Sequence, residues 1–301
     1  FGGVVRSTTE LTFGGAYQDE VNSELTALPV TLTGRRRKPK PSEIQDLFVA
    51  RGAPLQVAAI DKGPVDLIVV RDRDAWSRLR QVRTAAQRLP TGTLEGGGFT
   101  PSPRAQWFQP DSNEWFVWSF QLLWPDPTRR SIGDDPYDLF VHTGKYAGER
   151  GSLHGWLTTV QPPAESTGEQ RLADAVAVAA VAAAGSNRRR AVLLVLGPDP
   201  EDTSEVTPDT VRRYLEALGV PLFVWSLDQG IIEDTPWGEV VDVSTPRLMS
   251  LASDRILRAL NRQRIVWVEG KHLAHQVTVV DQSRGMALSS RLPAVAEEPV
   301  R

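Results

Sequence analysis

The chain has 301 residues, 24% charged and 41% hydrophobic, which is ordinary for a globular protein and long enough for one large domain with an appendage, or for two. A formal net charge of −3 gives no electrostatic case for nucleic acid as the main partner. There is no cysteine, which excludes disulfides, thiol nucleophiles and iron–sulfur sites, and no run approaches the ~20 apolar residues of a membrane-spanning helix.

Residues 1–17 carry two short triplets, Phe1-Gly2-Gly3 and Phe13-Gly14-Gly15, with Ser, Thr and Glu between them. Such a terminus orders only when something ties it down, so a flexible or partner-bound arm is expected. The start at Phe1 rather than Met is expected of a chain that is either processed or incompletely represented, with removal of a signal peptide, and so export, the simplest account. Residues 18–62 read as a small antiparallel β unit, because Val30-Thr31-Leu32-Thr33 alternates with period two and Asp46 to Ala50, then Pro54 to Ile60, follow across an Arg51-Gly52 turn. The basic runs Arg35 to Lys38 and Arg188 to Arg190 are expected to be solvated turns.

From Pro64 the pattern changes to strands alternating with helices, and residues 63–283 are read as one α/β domain. Leu67-Ile68-Val69-Val70 is a fully apolar run ending in Arg71-Asp72-Arg73-Asp74, as a buried parallel strand would deliver its C-terminal end to a crevice. A helix over about 74–88 should turn Trp76, Leu79, Val82, Ala86 and Leu89 to one face. Residues 90–113, rich in Gly, Pro, Thr and Ser, read as a long loop carrying Phe99, Trp107 and Phe108. Strands are expected over 114–124, 138–142 and 155–160, followed by an Ala-rich helix over about 168–184.

Ala191 to Leu196 is a second buried strand, running into Gly197-Pro198-Asp199. Thr207-Pro208 and Thr245-Pro246 each supply an N-cap followed by proline at the first helical position, and Gly219 stops the first of these two helices. The second should bury Leu248, Leu251, Ala252, Ile256 and Leu260. Residues 220–227 form a core strand, 264–269 with 275–281 a final β pair, and 284–301 a loose tail. The fold expected is therefore a doubly wound, mostly parallel α/β sheet with a small N-terminal β unit.

At its lead-in the chain resembles the von Willebrand factor type A family, and within it the related proteins abundant in Acidobacteria. The match is carried by Pro29-Val30-Thr31-Leu32-Thr33, Lys40-Pro41 and Asp46-Leu47-Phe48-Val49-Ala50-Arg51-Gly52-Ala53-Pro54-Leu55-Gln56-Val57. The resemblance implies a metal-ion-dependent adhesion site with D-x-S-x-S after the first strand, a Thr opening a later helix and an Asp after the fourth strand, all hard oxygen donors for Mg²⁺ or Ca²⁺. By position those slots hold Arg71-Asp72-Arg73-Asp74-Ala75, Gln170 and Gly197. The expectation is a lost metal site and no cofactor, with Asp72, Asp74, Asp199, Glu201 and Asp202 as residual acidic candidates.

No other catalytic constellation is visible. His272 and His275 have no acidic third ligand nearby, Gly96-Gly97-Gly98 lacks the context of a phosphate loop, and Ser77, Ser119 and Ser186 lack G-x-S-x-G surroundings. The expected function is a non-catalytic, exported interaction or structural module, a subunit of a larger protein assembly that docks through Phe1, Phe13, Phe99, Trp107 and Phe108, with loop residue Trp237 a further interface aromatic. A metal-dependent adhesion domain with shifted carboxylates, or an enzyme with an unrecognised site, are the alternatives.

Overall fold

A computed structural model describes residues 24–33, 39–88, 118–132, 134–147, 153–161, 168–231 and 235–289. The arm, the loop with Phe99, Trp107 and Phe108, and residues 290–301 lie outside that set. In chain order the elements are β1 (Leu25–Leu32), β2 (Phe48–Ala50), β3 (Ala53–Pro54), β4 (Val57–Asp61), β5 (Val65–Arg71), α1 (Ala75–Arg88), β6 (Trp118–Leu123), β7 (Thr128–Ile132), β8 (Asp135–Leu139), β9 (Tyr146–Ala147), α2 (Leu153–Thr159), α3 (Leu172–Ala184), β10 (Arg189–Leu196), α4 (Pro208–Leu218), β11 (Leu222–Ser226), β12 (Val240–Asp242), α5 (Pro246–Arg262), β13 (Gln263–Glu269), β14 (Val277–Val279) and β15 (Met286–Leu288).

The main sheet has the order β12-β11-β10-β5-β6-β9, with five parallel strands and an antiparallel β9 at one edge. The two apolar runs are neighbours as expected, Ala191 pairing with Leu67 and Leu194 with Val70. All seven residues of β5 and all eight of β10 are buried, since helices cover both faces. On one face α1, α2 and α5 pack on Leu67, Val69, Phe120 and Leu193; on the other α3 and α4 pack on Ile68, Val70, Val192 and Leu194. The order in which strands are added reverses between β5 and β10, which run parallel, so their C-terminal ends form the switch-point crevice of a doubly wound fold.

Helix starts follow the local chemistry. Thr207 and Thr245 each accept a hydrogen bond from the amide three residues on, and Gly219 takes φ 68°, the left-handed value a helix stop needs.

Several expectations need correction. Residues 155–160 are in helix α2 rather than a strand. Trp156 and Leu157 pack in the core, and Thr158 and Thr159 hydroxyls donate back to the Gly155 and Trp156 carbonyls, so tertiary packing overrides β-branched preference. In α1 it is Ala75, not the half-buried Trp76, that joins Leu79 and Val82 in the core. In α5 the buried stripe is Met249, Ala252, Ile256, Leu257 and Leu260, while Leu251 is exposed.

The antiparallel strands expected at 24–60 are present, but apart from the β2–β3 pair their partners come from the far end of the chain. One sheet runs β15-β1-β13-β4 and another β14-β2-β3. Residues 264–269 and 275–281 therefore do not pair with each other: β13 inserts between β1 and β4, and β14 pairs with β2. Nor is the chain loose from residue 284. Met286 is buried among Leu28, Val30 and Val268, and β15 pairs with β1.

Candidate functional site

The crevice at the ends of β5 and β10 is where a loop-borne metal site would sit. Asp72 follows β5 directly and is 1% exposed, held by its amide on the Val195 carbonyl at 2.9 Å. Its carboxylate accepts the Gly197 amide at 2.7 Å and the Asp74 amide at 3.2 Å. Burial raises the Asp72 carboxyl above the usual carboxylate range; the Gln170 side chain and these two amides pull the other way.

Gly197 is required by this closeness. A Cβ there would lie 2.5 Å from Asp72 Oδ2 and 2.9 Å from the Ala75 nitrogen. The slot where the resemblance places an acidic ligand is thus filled by the Asp72 carboxylate itself.

The remaining slots are also committed. Gln170 accepts the Arg73 amide through Oε1 at 2.8 Å and donates to the Glu201 carbonyl at 2.8 Å. The Arg73 guanidinium pairs with Asp126 and donates to the Gly168 carbonyl at 3.1 Å. That pairing raises Arg73 above its ordinary value, which fixes a positive charge at the crevice. Donors of this kind do not fit a dication.

The residual carboxylates do not converge. Asp202 accepts the amides of Leu172 and Ala173 at 2.9 and 3.3 Å, so it caps α3 from a distant loop. Asp74 and Asp199 are exposed. Among the described residues no group of three or more His, Asp or Glu side chains is placed to hold a metal ion. His272 bonds the Glu269 carbonyl through Nε2 at 2.9 Å, an ordinary turn contact.

The basic run expected as a solvated turn is instead largely buried, and sequence reasoning missed its role. Arg190 is 3% exposed and donates to the Ala184 carbonyl that ends α3 and the Leu218 carbonyl that ends α4, at 2.8 and 3.2 Å. Arg189 donates to the Gly63 carbonyl and, at 2.9 Å, to the Leu260 carbonyl in the last turn of α5. Arg71 does the same at the other edge of the sheet, reaching the Leu157 and Val160 carbonyls at the end of α2, both at 2.7 Å, with its guanidinium over Trp124. Each guanidinium satisfies helix-end carbonyls and sits at the negative end of the helix dipole. Burial lowers Arg71 to about 9 and Arg189 and Arg190 to about 10. The visible signal was an arginine at the very end of a buried apolar strand, where free solvation is impossible.

A cavity of about 150 Å³ lies between α3 and the β6–β9 edge. At its floor the buried Asp66 carboxylate takes the Ser119 hydroxyl, Lys145 at 3.1 Å and Arg188 at 3.2 Å. Ser119 is thus a buried donor to a carboxylate. Trp237, expected at an interface, is 5% exposed in the core under α4. Of the docking aromatics, Phe1, Phe13, Phe99, Trp107 and Phe108 all lie outside the described residues.

No protein-family model matches the sequence, and no curated protein does. Among solved structures the chain is similar to proximal thread matrix protein 1 from the mussel byssus, at 12% identity and a TM-score of 0.36, over 72% of this chain and 50% of that one. A zinc-occupied MIDAS form of the same mussel protein gives 13% identity and 0.38, over 71% and 50%. The human COPII-coat protein Sec24c gives 7% identity and 0.31, over 76% and 41%. The chain spans about half the length of the mussel protein and less of the coat protein.

Proposed function

We propose that this chain is a non-catalytic interaction or structural module, a von Willebrand factor A-like domain whose metal site has been lost, acting as a subunit of a larger protein assembly. The observation that carries this reading is the sealed crevice: Asp72 bonds the Gly197 amide at 2.7 Å, and a side chain at residue 197 would strike that carboxylate. A metal-dependent adhesion site needs open hard donors and a free position for a partner's carboxylate. Here the Asp72 carboxylate is spent on backbone amides, and Arg73, paired with the buried Asp126, supplies positive charge in place of the ion. Export, implied by the family resemblance, belongs to the same proposal, as does docking through Phe1, Phe13, Phe99, Trp107 and Phe108.

The test is partner capture from the native source, read by mass spectrometry with and without EDTA. Partners retained in EDTA support a metal-independent module. Partners released by EDTA and recovered with Mg²⁺ or Ca²⁺ would favour the adhesion reading.

A further inference from the structure

Beyond β6 the chain runs through Trp124 into the hairpin β7–β8, whose return leg rejoins the main sheet where Trp124 and Thr143 exchange amide bonds with Val141 and Leu122. Among the described residues this is a two-stranded sheet with no third neighbour. Two strands alone are marginal in water. Its register places Thr128 opposite Leu139 and Arg130 opposite Tyr137, with Ile132 next along the same face of β7. Ile132 is 74% exposed, Leu139 45% and Tyr137 42%.

The two strands differ in charge. On β7, Arg129 and Arg130 are exposed, and neither forms an ion pair among the described residues; Asp138, opposite Arg129, is taken by Arg171 at 2.7 Å. On β8, Asp135 precedes Pro136, which has no N–H to give, and Asp138 lies two residues beyond it. The edge of β7, unpaired among the described residues, therefore suits an extended segment with two adjacent carboxylates and an apolar residue two positions before them.

The chain contains such a segment, Tyr17-Gln18-Asp19-Glu20-Val21, outside the described residues. Laid antiparallel to β7, it sets Tyr17 beside Ile132, Asp19 beside Arg130 and Glu20 beside Arg129. It cannot do so within one molecule. β1 begins at Leu25 in a sheet joined to the N-terminal edge of the main sheet, where the Gln263 amide oxygen accepts the Arg190 backbone N–H, whereas the hairpin leaves from the C-terminal edge. The three residues after Val21 span ~10 Å, against ~23 Å for the seven residues of β5.

We propose that residues 17–21 of one copy add as a third strand to β7 of the next, so that copies join head to tail. Such a contact is heterologous and grows into chains unless its rotation closes a ring. It rests on the interaction-module reading and names a contact for it. The test is a concentration series of the full chain by analytical ultracentrifugation. The parent grows beyond a dimer. Arg129→Glu with Arg130→Glu raises the half-assembly concentration at least about tenfold at unchanged melting temperature. Adding Asp19→Arg and Glu20→Arg to that variant restores assembly, and a peptide of residues 15–23 caps the parent's growth. A parent that stays monomeric, or arginine variants that assemble like the parent, overturns the proposal. Partner capture that survives in those arginine variants leaves the broader module reading standing.

Discussion

At the scale of single residues, buried charge here closes backbone gaps. Asp72, raised by burial, keeps its proton to higher pH in the fold than in the unfolded chain. Its stability contribution therefore falls as pH rises from the unfolded value, about 4, through the raised folded one. Asp72→Asn removes that slope, so melting temperatures compared from about pH 3.5 to about pH 7 should shift in the variant's favour as pH rises. A gap that is flat, or moves toward the parent, contradicts this. Gly197→Ala should cost about 1–3 kcal/mol, and Asp72→Ala in the same chain should not rescue it, because the Ala75 nitrogen remains 2.9 Å from the new methyl. Arg190→Met strips a charged donor from the ends of α3 and α4 at once. A loss of about 2–4 kcal/mol in urea unfolding is expected, and a loss below about 0.5 kcal/mol would show that water replaces it freely.

At the scale of elements, what could be read in advance was whatever local chemistry decides. The Thr-Pro starts at 207–208 and 245–246, the stop at Gly219 and the apolar runs of β5 and β10 each carry their own physical cause, and each stands where expected. What could not be read depends on distant partners. Helix α2 looks like a strand until Arg71 gathers its last carbonyls. Strand β15 looks like tail because three residues carry no period, yet β1 needs a neighbour on that edge. Likewise the acidic candidates follow β5 and β10 in the chain, but Asp202 is claimed by the start of α3, which no spacing reveals. Met286→Ala tests the β15 assignment: it should cost about 2–4 kcal/mol of stability, measured by denaturant midpoint, where a loose tail would give no change.

At the scale of the whole molecule, the first and last described strands share one sheet, with β1 between β13 and β15, while the doubly wound sheet lies between them in sequence. A fold whose crevice is closed by its own side chains leaves loops, arms and edges as the surfaces available for work. Trp107→Ala with Phe108→Ala should therefore weaken partner assembly at unchanged melting temperature; a large stability loss with normal assembly would make these aromatics core instead. The most direct test of the central claim, that internal hydrogen bonds replace the metal, is calorimetric titration of the full chain with Mg²⁺, Ca²⁺ and Zn²⁺, paired with melting in EDTA. A native-state ligand at a hundredfold excess over its dissociation constant adds ~2.7 kcal/mol, a shift too large to miss. The account predicts no saturable heat and an unchanged melting temperature; one-to-one binding, with a melting temperature that EDTA lowers, would contradict it.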